Sequence, residues 1–358
     1  MVAGAGSRPA IIGRARADSA AARAAPSTVR LPGSDAKLLG QRIMVGMQGT
    51  TPGRGLLRSV RDGDVGAVIL FGANIASRRQ LLALTGALQR AARQGGNPPL
   101  LIATDQEGGQ VKRLPSGPPG LSPPQIAATG STAVASREGR ATGVYLKGLG
   151  INIDLAPVAD VPTFPGAFIW QQGRAFSFSA GVVARYATAF ALGLQSARIA
   201  ASAKHFPGLG SAAVSTDNNR EELRPSKAQL GQALTPYRSL IARGVDAIML
   251  SVAGFPGYDR TGAPAALSRP IVQGLLRGAL GYGGVAITDA LGSTTGHDEV
   301  TAGMLAARAG ADVLLYTDSA RGELPALRAA LRRGQITRAE ADASYARIVA
   351  LKRRVAGP

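Results

Sequence analysis

From Leu38 onward, short apolar runs ending in polar or glycine residues alternate with longer stretches whose apolar positions recur at helical spacing. A parallel strand needs a crossover helix before the next strand, so this order predicts parallel β/α units. Eight strands are predicted, at 42–47, 67–71, 100–104, 151–155, 199–203, 247–250, 284–288 and 312–315. Helical stretches between them include 77–93, 183–196, 226–243 and 300–309, and the first connection, 54–61, has room for only two turns. Ser77 and Ser226 are placed to cap first-turn N–H groups. Eight strands in one series, with no shift of composition between Leu38 and Val355, favour a closed (β/α)8 TIM-type barrel over an open doubly wound sheet. A last stretch, 336–354, carries Lys352, Arg353 and Arg354 in its final turn, where they complement the helix dipole; it is expected on the outside of the barrel. Residues 1–37 lack periodicity and are rich in Ala, Arg, Gly, Ser and Pro, which predicts a flexible tail ahead of one barrel domain at 38–358.

The composition narrows the chemistry. Of 358 residues, 45% are hydrophobic, enough for a large core. No apolar run approaches the ~18 residues of a membrane-spanning helix, so no membrane span is expected. With no cysteine, disulfides, thiolate metal sites and a cysteine nucleophile are excluded; with His205 and His297 the only histidines, so is a His-rich metal site. No metal or cofactor is expected. The net charge of +19 comes from scattered arginines without charge blocks or interleaved aromatics. It predicts a basic surface favouring acidic polymers, not nucleic-acid recognition. The chain is expected to be a monomer, either cytoplasmic or exported by a signal absent from this sequence.

In a barrel of this kind the catalytic groups lie just past the C-terminal ends of the strands. Four predicted strands end in polar residues: the third in Thr104-Asp105-Gln106-Glu107-Gly108-Gly109, the fourth in Asp154, the fifth in Lys204-His205-Phe206-Pro207-Gly208, the seventh in Asp289. Each Asp has an alternative use as a helix cap or Asx turn, and Lys204 as a buried ion pair with Asp154 or Asp105. Four such ends on one rim predict a common mouth.

These residues carry a resemblance. Asp105-Gln106-Glu107-Gly108-Gly109 with Val111 and Arg113, then Ala156-Pro157-Val158-Ala159-Asp160-Val161, Gly173-Arg174-Ala175-Phe176, Lys204-His205-Phe206-Pro207-Gly208 and Thr288-Asp289 resemble, in order and spacing, the signatures of glycoside hydrolase family 3. Within it the chain is similar to the bacterial β-N-acetylglucosaminidases in which the barrel stands alone. The resemblance implies a retaining exo-β-glycosidase acting on terminal β-linked sugars, N-acetylglucosamine of cell-wall fragments first among them, through a covalent glycosyl-Asp289 intermediate. It assigns Asp105, Arg113, Arg174, Lys204 and His205 to substrate binding. Lysine and arginine only donate, so they grip sugar hydroxyls and depress neighbouring carboxyl pKa values.

The pattern breaks after Gly208. The resembled subgroup carries an acid/base histidine twelve residues beyond the strand-five histidine, supported by an aspartate; here those positions are Asp217 and Ser215. Asp217 is the expected acid/base, with Gly208 and Gly210 as hinges that fold its loop over the mouth. His297 is one substitute donor. Other readings are β-glucosidase or β-xylosidase specificity, phosphorolysis or transglycosylation on the same intermediate, and a sugar-binding pseudoenzyme.

Overall fold

The computed structural model describes residues 29–318 and 322–356; the first 28 residues of the predicted tail lie outside the described residues. Eight parallel strands form one sheet: β1 (Ile43–Val45), β2 (Ala67–Ile69), β3 (Leu101–Thr104), β4 (Ile153–Asp154), β5 (Ala200–Phe206), β6 (Ala247–Leu250), β7 (Val285–Thr288) and β8 (Leu314–Tyr316). Each pairs with its sequence neighbour, and β8 also pairs with β1. An Ile287–Val313 bridge joins β7 to β8, which closes the barrel. The predicted strands are all present. Helices follow them, among them Arg54–Asp62, Arg78–Gln94, Ala180–Ser196, Lys227–Ala242 and Glu299–Ala309. Ser77 Oγ accepts from the Gln80 N–H at 3.1 Å and Ser226 Oγ from the Gln229 N–H at 3.3 Å, the two caps read from the sequence.

Strand alternation divides the apolar side chains. Met44, Ile69, Leu101, Ile153, Met249 and Ile287 point into the barrel, while Ile43, Val68, Ile102 and Ile248 meet the helices outside. The last helix, Arg338–Ala356, departs from expectation. Its Ile348, Leu351 and Val355 join the interior cluster, so it plugs the N-terminal end of the barrel as well as packing on the outer layer. Its basic residues therefore do more than offset a dipole. Lys352 is fully buried, with Nζ donating to Gly66 O at 2.7 Å and to Gln41 Oε1, and Arg354 pairs with Asp246. Arg347 and Arg277 both bind Asp312, just ahead of β8.

Candidate active site

The C-terminal ends of the strands surround a cavity of about 730 Å³. Asp105, Arg113, Arg174, Lys204, His205, Asp217 and Asp289 all line it, so every residue assigned from the sequence faces one space. Local geometry explains two of the placements. Asp105 and Glu107 are two apart where the chain leaves β3 for a short hairpin pairing Gln106–Gly108 with Val111–Lys112, so period-two alternation sends both carboxylates to the cavity. Lys204 and His205 are adjacent, and regular alternation would send them to opposite faces. They lie instead within β5, where the register slips: Ala203 pairs with Ile248 and Phe206 with Leu250, setting one extra residue against the partner strand. A bulge of this kind re-aims side chains, and here both residues reach the cavity. The sequence reading ended this strand at Ala203, three residues early.

The cavity floor is a connected charge lattice. Lys204 Nζ lies 2.7 Å from Asp105 Oδ1 and 2.6 Å from Glu107 Oε1. Arg174 binds Glu107 with two nitrogens, and Arg113 Nη2 approaches Asp105 Oδ2 at 3.5 Å. Burial alone would raise the Glu107 pKa, but the Arg174 and Lys204 charges and hydrogen bonds outweigh it and hold the carboxyl at about 2. The same lattice, against burial, raises the pKa values of Lys204 and Arg174 well above their ordinary values. His205 is fixed from behind by Asp160: Nδ1–H donates to Oδ2 at 2.7 Å, while Oδ1 accepts the His205 and Leu209 backbone N–H groups. The carboxylate accepts, so the Nδ1 proton is specified, and Nε2 is turned toward Arg174 Nη2 at 3.5 Å.

Asp289 follows β7. Its Oδ1 accepts the Ala290 N–H at 2.8 Å. Burial raises its pKa; the His205 charge opposes this, that of Asp217 adds to it, and the Ala290 N–H and Lys204 oppose it further. Asp217 is exposed at the mouth, with Oδ2 accepting from Ser215 Oγ at 3.2 Å. The glycine hinges expected for its loop are not free. A Cβ on Gly210 would lie 1.8 Å from Val161 O, and one on Gly208 2.7 Å from the Ala233 Cβ. Thr163 and Phe168 donate to Gly210 O and Ala212 O, and at the far end Leu223 pairs with Gly254. Between these pinned ends Asp217 stands on a turn closed by the Asn219 N–H and side-chain amide on Ser215 O, with Thr216 buried beside it.

Two residues singled out earlier are elsewhere. Asp154 is fully buried beside the lattice and does not line the cavity; Oδ1 caps the Gln106 N–H at 2.9 Å, the structural alternative, and burial pushes its pKa to about 8. His297 is exposed and outside the cavity lining. Three functional candidates were missed. Glu107 and Asp160 stand inside the quoted motifs, and the spacing of Glu107 from Asp105 on an extended segment was a usable signal. Glu299, which opens the helix after β7 and lines the cavity, had none.

The model of the glycosyl hydrolase family 3 N terminal domain matches residues 37–351. Beta-hexosaminidase LpqI of Mycobacterium tuberculosis is 33% identical over 318 residues, 83% of this chain and 80% of that protein. A family 3 beta-N-acetylglucosaminidase from Paenibacillus sp. str. FPU-7 aligns with TM-score 0.85 at 35% identity, covering 90% of this chain and 63% of that one, so this chain spans just under two thirds of that protein. Beta-N-acetylhexosaminidase from Beutenbergia cavernae aligns with TM-score 0.80 at 31% identity, covering 89% of this chain and 98% of that one. With its closed barrel, its rim cavity and its motifs in register, the chain belongs to glycosyl hydrolase family 3, as the N terminal domain of that family.

Proposed function

We propose that this chain is a retaining β-glycosidase of the β-N-acetylhexosaminidase type that removes terminal β-linked N-acetylglucosamine from cell-wall-derived or related glycosides. One observation carries the reading: Asp289 faces the same cavity as a buried lattice of Asp105, Glu107, Arg174, Lys204 and His205. A sugar seated on that lattice meets fixed donors and acceptors for its hydroxyls, with a carboxylate positioned at its anomeric carbon.

In the first step Asp289 attacks the anomeric carbon, the glycosidic bond breaks, and Asp217 gives its proton to the departing oxygen. In the second step Asp217 takes a proton from water as that water releases the sugar from Asp289. Lys204 and Arg174 need no reorganisation as charge develops, because their carboxylate partners already hold them. The relatives' names, beta-hexosaminidase and beta-N-acetylglucosaminidase, support the N-acetyl sugar.

A panel of chromogenic β-glycosides tests the proposal, with products analysed in the presence and absence of phosphate. Release of free N-acetylglucosamine, faster than glucose or xylose and independent of phosphate, is the expected result. A sugar 1-phosphate product would make the protein a phosphorylase. Binding without turnover of any member would make it a carbohydrate-binding pseudoenzyme.

A further inference from the structure

Charge is unevenly spread over the outer helices. Arg78–Gln94, Thr132–Lys147, Ala180–Ser196 and Lys227–Ala242 follow β2, β3, β4 and β5, so they stand side by side on one flank of the barrel. They carry four, three, one and two lysines or arginines in turn, and Glu138 is their one acidic residue. Glu138 is already engaged, accepting the Gly120 N–H at 2.7 Å. The basic residues of this flank are all exposed, and none forms an ion pair among the described residues. On the opposite flank acids accompany the bases, as in the Arg269–Glu340 and Arg338–Asp342 pairs. The basic flank has a focus. A groove of about 450 Å³ between the C-terminal ends of Thr132–Lys147 and Ala180–Ser196 is lined by Arg140, Lys147, Ser196 and Arg198. Arg140 Nη1 donates to Ser196 Oγ at 3.3 Å, and Arg78 reaches over from the neighbouring helix, Nη2 donating to Gly148 O at 3.2 Å. Each keeps further guanidinium N–H groups for a ligand. Arg198 has φ of 63°, the one left-handed backbone at a non-glycine residue among the described residues, at a position past a helix end where glycine is usual. Here that position brings a further cation to the groove.

We propose that this flank, centred on Arg78, Arg140, Lys147 and Arg198, docks a linear polyphosphodiester of acyclic polyol units. Guanidinium and ammonium groups gathered at one groove, with no acid to pair them, create a local positive potential. At physiological ionic strength screening confines it to about 8 Å, so the cluster, and not the net charge of the chain, decides where an anion settles. Shape selects among polyanions. The basic positions follow the convex wall of a cylinder, which a flexible polyol phosphate can wrap; duplex DNA is too stiff to follow it, and a flat bilayer meets only part of it. The flank also lacks what other partners use. None of its aromatic residues, Tyr145, Tyr186, Phe190 and Tyr237, is exposed, so an unpaired base has no ring to stack on. Its exposed large apolar side chains are Leu82 and Val144, too few to anchor in a membrane. Helices of a barrel run antiparallel to its strands, so the groove lies at the end away from the rim, and docking there leaves the rim cavity open.

Binding of the full-length protein to poly(glycerol phosphate), measured by calorimetry in about 150 mM salt, tests the assignment. Two variants each remove the same charge: Arg78→Gln, Arg140→Gln, Lys147→Gln and Arg198→Gln together on this flank, and Arg308→Gln, Arg328→Gln, Arg332→Gln and Arg333→Gln together at exposed positions on the opposite one. The first should weaken binding roughly tenfold or more, and the second less than about twofold. Equal losses would mean that net charge alone attracts the polymer, and would overturn the proposal. No binding by the wild type overturns it too. So does tighter wild-type binding of duplex DNA or of phosphatidylglycerol vesicles, compared at equal phosphate concentration, which would make the partner a nucleic acid or a membrane. Should the first combined variant fail to fold, Arg198→Gly, which suits the left-handed backbone, takes its place. It should keep the wild-type circular dichroism spectrum and weaken binding about two- to threefold, and an unchanged affinity overturns the proposal. None of these measurements uses turnover, so their outcome is separate from that of the glycosidase reading.

Discussion

Arg174 holds Glu107 through two parallel hydrogen bonds, Nε to Oε2 at 2.6 Å and Nη2 to Oε1 at 2.9 Å, across 67 residues of sequence. Lys204 shares the same carboxylate, so its loss leaves two buried cations short of a partner. Glu107→Gln should cost about 3–5 kcal/mol of unfolding free energy, measured by denaturant titration at neutral pH. A loss under about 1 kcal/mol would show that the lattice adapts. The folded pKa of about 2 lies below the ordinary 4.5, so this contribution is complete above 4.5 and disappears as pH falls toward 2. The gap between wild type and variant should close over that window.

As the proposed nucleophile Asp289 has to be ionised to attack, and burial raises its pKa above 3.8. The acid limb of kcat/KM should therefore fall at a pH above the ordinary aspartate range. Asp289→Asn should abolish turnover while leaving the circular dichroism spectrum intact, and an activated fluoro-sugar should label this residue in the wild type. A label on another carboxylate would reassign the nucleophile.

Asp217 should matter in proportion to the leaving group. Asp217→Ala is expected to slow substrates with poor leaving groups by roughly 10²-fold or more, and aryl glycosides of low leaving-group pKa by less than about tenfold. Azide should rescue the variant as a glycosyl azide. Equal losses on both substrate types would assign Asp217 to positioning; Glu299, on the same cavity, would then be the acid to test.

Asp154 should depress stability on the alkaline side. Its folded pKa of about 8 exceeds the ordinary 3.8, so the folded state binds the extra proton between these values and stability falls as pH rises through that range. Asp154→Asn, which keeps an acceptor for the Gln106 N–H, should be more stable than wild type at pH 8, with the advantage vanishing near pH 4. Parallel Tm curves for the two proteins would contradict the buried, protonated carboxyl.

Lys352 should act in the opposite sense. Burial lowers its pKa from 10.5 to about 7, so the unfolded chain binds the extra proton between these values and stability rises with pH there. Relative to Lys352→Met, the wild type should lose stability as pH falls from about 10 to 7. A constant difference between their melting temperatures across that range would mean that the ammonium stays charged in the fold.

The sequence by itself determined the barrel and its mouth. Hydrophobic period reports burial residue by residue, so eight apolar runs and capped helical stretches suffice to count strands and order them. Polar residues at strand ends mark the rim, and all seven assigned site residues reach its cavity. Three-dimensional closure decided the rest. Period shows which face of the helix Arg338–Ala356 is apolar, but not that the face would plug the barrel end and bury Lys352. Glycine at 210 reads as a hinge, yet it packs so closely on the Val161 carbonyl that a Cβ there would lie 1.8 Å from the oxygen. Lys204 and His205 share a cavity because β5 slips by one residue against β6, a register that depends on the partner strand. Asp154 stands at a strand end as Asp289 does, and turned away to cap Gln106. Glu107 and Asp160 acquired their partners only when segments tens of residues apart met at the rim, because an ion pair is a property of two positions and periodicity describes one.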